Sequence, residues 1–232
     1  MAMMLSMLGE TYLSCGAVSD RILTISLISC AGMAIFKVFI VRLNNTKLLR
    51  IILAAFDDWT TATNGTKKMR QYAKLGRFVC LFQMIGAYVT LIPMILIGLA
   101  TLGSSNMINS TDQPVRLLPL NTLCFYGDMS TGVYIAVYLL QVIQLITTCN
   151  GNVGCDCYFF GLAMYLCGKV ELLMSDFEAF GSASSCSECR EEFGRLIRKQ
   201  NNLMGLIDDL ERTFSIIILA QLTAVTYQVC LA

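Results

Sequence analysis

Phe78–Leu102 reads FVCLFQMIGAYVTLIPMILIGLATL, 25 residues without one Asp, Glu, Lys or Arg. As a helix it is about 37 Å long, enough to cross a hydrocarbon core of about 30 Å with length left for tilt. A soluble protein buries such a helix only at the centre of a large domain, and a chain of 232 residues has no polar shell of that size. The stretch puts the chain in a membrane, with lipid as its solvent.

Composition agrees. Apolar residues make up 56% of the chain and charged residues 14%, against about 25% charged in ordinary soluble domains. A net charge of +1 gives no basic patch for nucleic acid, and no nucleic-acid partner is expected. The absence of histidine removes the commonest metal ligand and the commonest general base together. No nucleophile elbow or carboxylate cluster lies in an apolar span, so no catalytic residue, metal or cofactor is expected. Eleven cysteines resemble a disulfide set. Yet Cys30, Cys80 and Cys230 lie inside apolar stretches, where cysteine serves as a small apolar residue. Cys186-Ser-Glu-Cys189 has zinc-like spacing without a second CxxC or a histidine. Cys124 is the cysteine expected near the outer face.

The fold class that follows is all-α: a polytopic helical membrane protein of about five membrane helices, the first partial, forming a single domain over 1–232. Residues 1–19 are apolar but carry Glu10 and no basic start, unlike a signal peptide, and read as the tail of a first span. Ile22–Val41 crosses next, with Lys37 near one end where it can snorkel. Phe78–Leu102, Ser130–Asn150 and Thr213–Ala232 complete the set.

Lys and Arg sort the connections. Leu43–Gly76 and Lys169–Arg212 are rich in them, and Gly103–Met129 holds only Arg116. The positive-inside rule makes the first two cytoplasmic and the third external. Of the glycosylation sequons, Asn44 and Asn64 then fall inside and stay bare, and Asn109 is the usable acceptor. The only tryptophan, in Asp57-Asp58-Trp59, suits a membrane interface or a helix cap and is assigned no chemistry.

The region 156–212 is too regular for a linker. Phe159, Leu162, Leu166, Val170, Leu173, Phe177 and Phe180 recur at helical steps, as do Phe193, Leu196, Gln200, Leu203, Ile207, Leu210 and Phe214. A polar break, Gly181–Ser187, separates them. A cytoplasmic helical hairpin is expected, either packing on itself or also docking other subunits. Asn150-Gly-Asn-Val-Gly154 is expected to loosen the helix above it.

Arg195–Ser215, RLIRKQNNLMGLIDDLERTFS, continues into IIILAQL and Cys230. This run resembles the fifth-helix region of insect odorant receptors. Asp20 before an apolar helix ending near Lys37, and Tyr134–Gln144 followed by CDCYFF at 155–160, look like their second and fourth helices. The resemblance covers nearly the whole chain, with Phe214-Ser215…Gln221 its most specific part. It implies seven membrane helices, a cytoplasmic amino terminus and an extracellular carboxyl terminus, the orientation the charges give independently. It also implies a ligand-gated cation channel in the plasma membrane of olfactory neuron dendrites. The resemblance pairs such a subunit with a shared co-receptor subunit in a heterotetramer. Volatile odorants would bind in the outer half of the membrane between helices two, three, four and six. A seventh helix would line the pore, and cytoplasmic helices would anchor the subunits. Family members are longer, so the expectation is a truncated member that does not conduct alone.

That pocket needs apolar volume, aromatic surface and a few hydrogen-bonding groups. On the third helix Tyr88, Ile92, Ile95 and Leu99 recur at helical spacing; on the fourth, Tyr134, Val137, Tyr138 and Gln141; on the second, Ile25 and Ser29. The contacts singled out are Tyr88, Ile92, Ile95, Tyr134, Tyr138 and Gln141. Such residues also serve plain helix packing, lipid contact or, for tyrosine, the membrane interface. Gln141 and Gln144 stand out because an amide at membrane depth needs a partner. Pro93 could kink the third helix. The competing readings are a gustatory receptor of the same superfamily, a G-protein-coupled receptor of opposite orientation, and a transporter, for which no internal repeat is visible.

Overall fold

In a computed structural model, residues 18–61, 66–104, 118, 130–181 and 188–231 are described, and among them every element is an α-helix. In chain order these are α1 (Val18–Leu43), α2 (Asn45–Thr61), α3 (Thr66–Ser104), α4 (Thr131–Gly181) and α5 (Glu188–Leu231). The expected partial first span, Asn64, Asn109, Cys124 and Cys186 lie outside the described residues. α1, α3, α4 and α5 are each long and apolar enough to cross a membrane. α4, at 51 residues, is about 77 Å long, so most of it exceeds what lipid can cover.

Two differences from the sequence reading stand out. α2 falls in what reads as a connection. Its turns place Leu48 and Ile51 on one face, and both are buried. Asn44 makes the join: its backbone and side-chain amides donate to the Ile40 carbonyl, and its own carbonyl accepts from the amides of Lys47 and Leu48. The residue ends α1 and starts α2. The second difference is Asn150–Gly154, expected to loosen a helix, through which α4 runs unbroken. The glycine at 151 lets another helix approach, since a Cβ there would lie 3.4 Å from Ala34 Cβ. Helix α3 likewise continues through Pro93.

The helices distribute over two compact units. The first comprises Met1–Lys37, Met84–Gly154 and Ala220–Ala232; the second comprises Val38–Gln83 and Cys155–Leu219. Apart from Arg21, Lys37 and Arg116, every Lys and Arg belongs to the second unit.

The second unit has a conventional core. Leu48 and Ile51 of α2 pack with Leu162 and Leu166 of α4 and with Leu203, Leu206, Leu210, Phe214 and Ile217 of α5. Phe214 meets Phe159 with ring centroids 4.8 Å apart. Phe180 meets Phe193 at 5.8 Å, joining α4 and α5 on either side of the polar break. Charged side chains tie the helices around this core. Lys169 of α4 pairs with Asp58 of α2 at 2.7 Å, and Tyr165 donates to the same carboxylate. Arg50 pairs with Asp209 and Lys199 with Asp176, each at 2.9 Å. Tyr72 of α3 donates to Glu171 of α4 at 2.6 Å, and Lys68 lies 3.2 Å from that carboxylate. The Tyr72 hydroxyl and then the Lys68 ammonium hold the Glu171 carboxyl below the usual range, and the same bond holds the Tyr72 hydroxyl above its own.

Candidate ligand cavity

The first unit is built differently. Ile85, Val89, Ile92, Leu96 and Leu99 of α3 are all exposed and recur at three- and four-residue steps. Water would not tolerate that stripe; lipid does. The opposite side of α3 carries Leu91, which packs with Leu145 of α4 against Leu27, Ile28, Tyr88, Ile95, Ile146 and Cys149.

Beside this cluster, within the first unit, lies a cavity of about 260 Å³. α1 supplies Leu27, Cys30 and Ala31; α3 supplies Ala87, Thr90, Leu91 and Met94; α4 supplies Leu145, Thr148, Cys149, Asn152 and Val153. Small residues open the space, and the lining is overwhelmingly apolar. Two of its polar side chains are already engaged. The Thr90 hydroxyl donates to the Ala87 carbonyl at 2.8 Å. Asn152 donates its amide to the Cys30 carbonyl at 3.0 Å and lies 3.3 Å from the Cys30 sulfur. Asn152 thereby joins α4 to α1 and fixes the floor of the cavity. The arrangement suits a small neutral guest held by shape and dispersion.

Of the residues expected from sequence, Tyr88 and Ile95 adjoin this space, and Gln141, Tyr138 and Tyr134 lie one, two and three turns along α4 from Leu145. Tyr88 and Ile95 pack against Leu91 and Leu145, directly behind the wall. The Tyr88 hydroxyl donates to Asn150 at 2.9 Å. Tyr138 donates to the Ile95 carbonyl at 2.8 Å. Tyr134 and Tyr138 are buried together with Leu118, and Gln141 is buried one turn further along. Ile92 is 49% exposed, on the outward stripe of α3. None of the six touches the cavity itself. The residues that do are mostly small, and small apolar residues carry no signal distinct from helix packing. Asn152 was the legible one, an amide inside an apolar run.

Lys37 departs from expectation. A snorkelling lysine is exposed; this one is 2% exposed. Ala31 and Ala34 share its face of α1 and are buried with it. The eight described cysteines are free thiols. In the second unit, the Cys80 thiol donates to the Cys157 carbonyl at 3.5 Å and the Cys157 thiol to the Cys80 carbonyl at 3.7 Å, linking α3 to α4.

No curated protein matches the sequence. The family model described as 7tm Odorant receptor matches residues 18–232, which is nearly all of the chain and every described helix. With long apolar helices around an apolar cavity, the chain belongs to the odorant receptor family.

Proposed function

We propose that the chain is an odorant-sensing subunit of a ligand-gated cation channel, acting in the dendritic plasma membrane of olfactory neurons as a hetero-oligomer with a co-receptor subunit. The observation that carries this reading is the cavity between α1, α3 and α4 in a chain of the odorant receptor family. A neutral volatile molecule has the size and chemistry that the lining accepts. Tyr88 and Ile95 shape the wall from behind. Tyr134, Tyr138 and Gln141 form the outer approach, with Tyr138 coupled to the wall through the Ile95 carbonyl, and Ile92 faces lipid. The charged unit, including the 156–212 hairpin, lies in the cytoplasm. The external loop is glycosylated at Asn109.

Binding of the fluorescent probe 1-aminoanthracene to the full chain in lipid nanodiscs tests the cavity. Saturable binding that volatile molecules displace, and that Ala87→Phe abolishes by filling the space, supports the reading. Binding unaffected by that substitution, or no saturable binding, contradicts it. The channel role is tested by odorant-evoked cation current on co-expression with a co-receptor subunit, and a current equal to that of the co-receptor alone counts against it.

A further inference from the structure

The cavity wall has an unusual chemical bias. Among the described residues it holds no aromatic side chain, yet sulfur reaches it from all three helices: Cys30 on α1, Met94 on α3 and Cys149 on α4. Both cysteines are free thiols. Cys30 is held in place by Asn152, whose amide nitrogen lies 3.3 Å from its sulfur. Divalent sulfur is soft and polarizable, and it makes favourable contacts with aromatic ring edges. Aliphatic guests gain nothing comparable. A wall lined by sulfur without aromatic residues leaves the ring to be supplied by the guest.

The remaining features narrow the class further. No charged side chain is among the cavity's described lining residues, so none pairs directly with an acidic guest there. The Thr90 hydroxyl and the Asn152 amide are already directed at backbone carbonyls, which leaves the Thr148 hydroxyl and little else to hold a strongly polar guest. An engineered apolar cavity of about 150 Å³ accepts benzene; at about 260 Å³ this one takes a ring with a short substituent.

We propose that the cavity selects neutral, single-ring aromatic molecules over saturated molecules of the same size, through the sulfurs of Cys30, Met94 and Cys149. This deepens the odorant-sensing reading and rests on it.

Anisole and methoxycyclohexane have the same heavy atoms in the same connectivity and differ in aromaticity. Their displacement of 1-aminoanthracene from the full chain in nanodiscs, each corrected for its own partition into protein-free nanodiscs, reads the selectivity. Anisole is expected to bind roughly three- to tenfold more tightly. The variant C30A/M94L/C149A is expected to bring the two affinities together while keeping probe binding. The control C167A, in the other unit, is expected to change nothing. Equal affinities in the unaltered chain, or a preference that survives removal of the three sulfurs, overturn the proposal while leaving the cavity as an odorant site. Failure of both compounds to displace the probe overturns the proposal and the odorant reading with it. If the triple variant loses the probe altogether, the single variant M94L decides: an unchanged anisole preference overturns the proposal and a reduced one supports it.

Discussion

The two units of the chain solve opposite problems with the same helices. In the second, Leu48, Ile51, Leu206, Phe214 and their neighbours bury one another in a core, and ion pairs bind the helices around it. In the first, alanine, glycine, cysteine and threonine keep helices close without filling the space between them, and the large apolar residues of α3 face outward. The difference follows from the solvent. Water drives leucine inward, whereas lipid is as apolar as leucine and gives it no reason to leave the surface. What holds the first unit is close packing and a few hydrogen bonds, such as those of Asn152 and Tyr138.

Leu206 and Leu91 are almost equally buried, one in each unit, and they offer the sharpest break of the contrast. Leu206→Ala is expected to cost about 2–5 kcal/mol. Leu91→Ala is expected to cost less than half of that, because its side chain gives up packing but no escape from water. Thermal unfolding of both variants in one detergent measures the difference, and equal losses would mean that both units have the same kind of core.

A smaller effect is expected at Asp58, which takes both the Lys169 ammonium and the Tyr165 hydroxyl. The pair is partly solvated, so screening reduces its strength. Asp58→Asn is expected to lower stability by about 1–3 kcal/mol. Adding Lys169→Met is expected to cost less than its effect alone, giving a double-mutant coupling of about 0.5–3 kcal/mol. Additive losses would show that the ions do not hold α2 to α4.

The smallest effect is at Glu171. Its carboxyl is held below the ordinary value of 4.5, so it favours the folded state above that pH. The contribution is lost as the pH falls through the lowered folded value. The stability difference between the chain and Glu171→Gln is therefore expected to be small at neutral pH and to shrink below about pH 4.5. Melting curves at descending pH check it, and a difference that grows in acid would reverse the assignment.

The sequence displays the lipid-facing parts plainly, because uncharged runs such as Phe78–Leu102 have no other use in a chain of this size. Of the apolar stripes read in 156–212, Leu162, Leu166, Leu203, Leu210 and Phe214 pack in the core, whereas Val170 and Phe193 are exposed. Two things were obscured by their chemistry. α2 is short and mixes Leu48 and Ile51 with Arg50, Asp57 and Asp58, which reads as a charged connection until the ion partners on α4 and α5 are seen. The cavity wall is made of Ala31, Ala87, Cys149 and Thr148, residues whose contribution is the volume they leave unfilled. Tyrosines and glutamine draw attention at membrane depth, yet they line no part of the cavity: Tyr88 donates to Asn150 and Tyr138 to the Ile95 carbonyl, and such large side chains fill space between helices.

The account depends on where the two units meet water. Glycan mapping of the full chain synthesised with microsomes tests this directly. A glycan at Asn109 that disappears in Asn109→Gln, with Asn44 and Asn64 unmodified, is the predicted result. Sugar on Asn44 or Asn64 would put the cation-rich unit on the outer face and contradict the orientation, the cytoplasmic core and the outer approach to the cavity together.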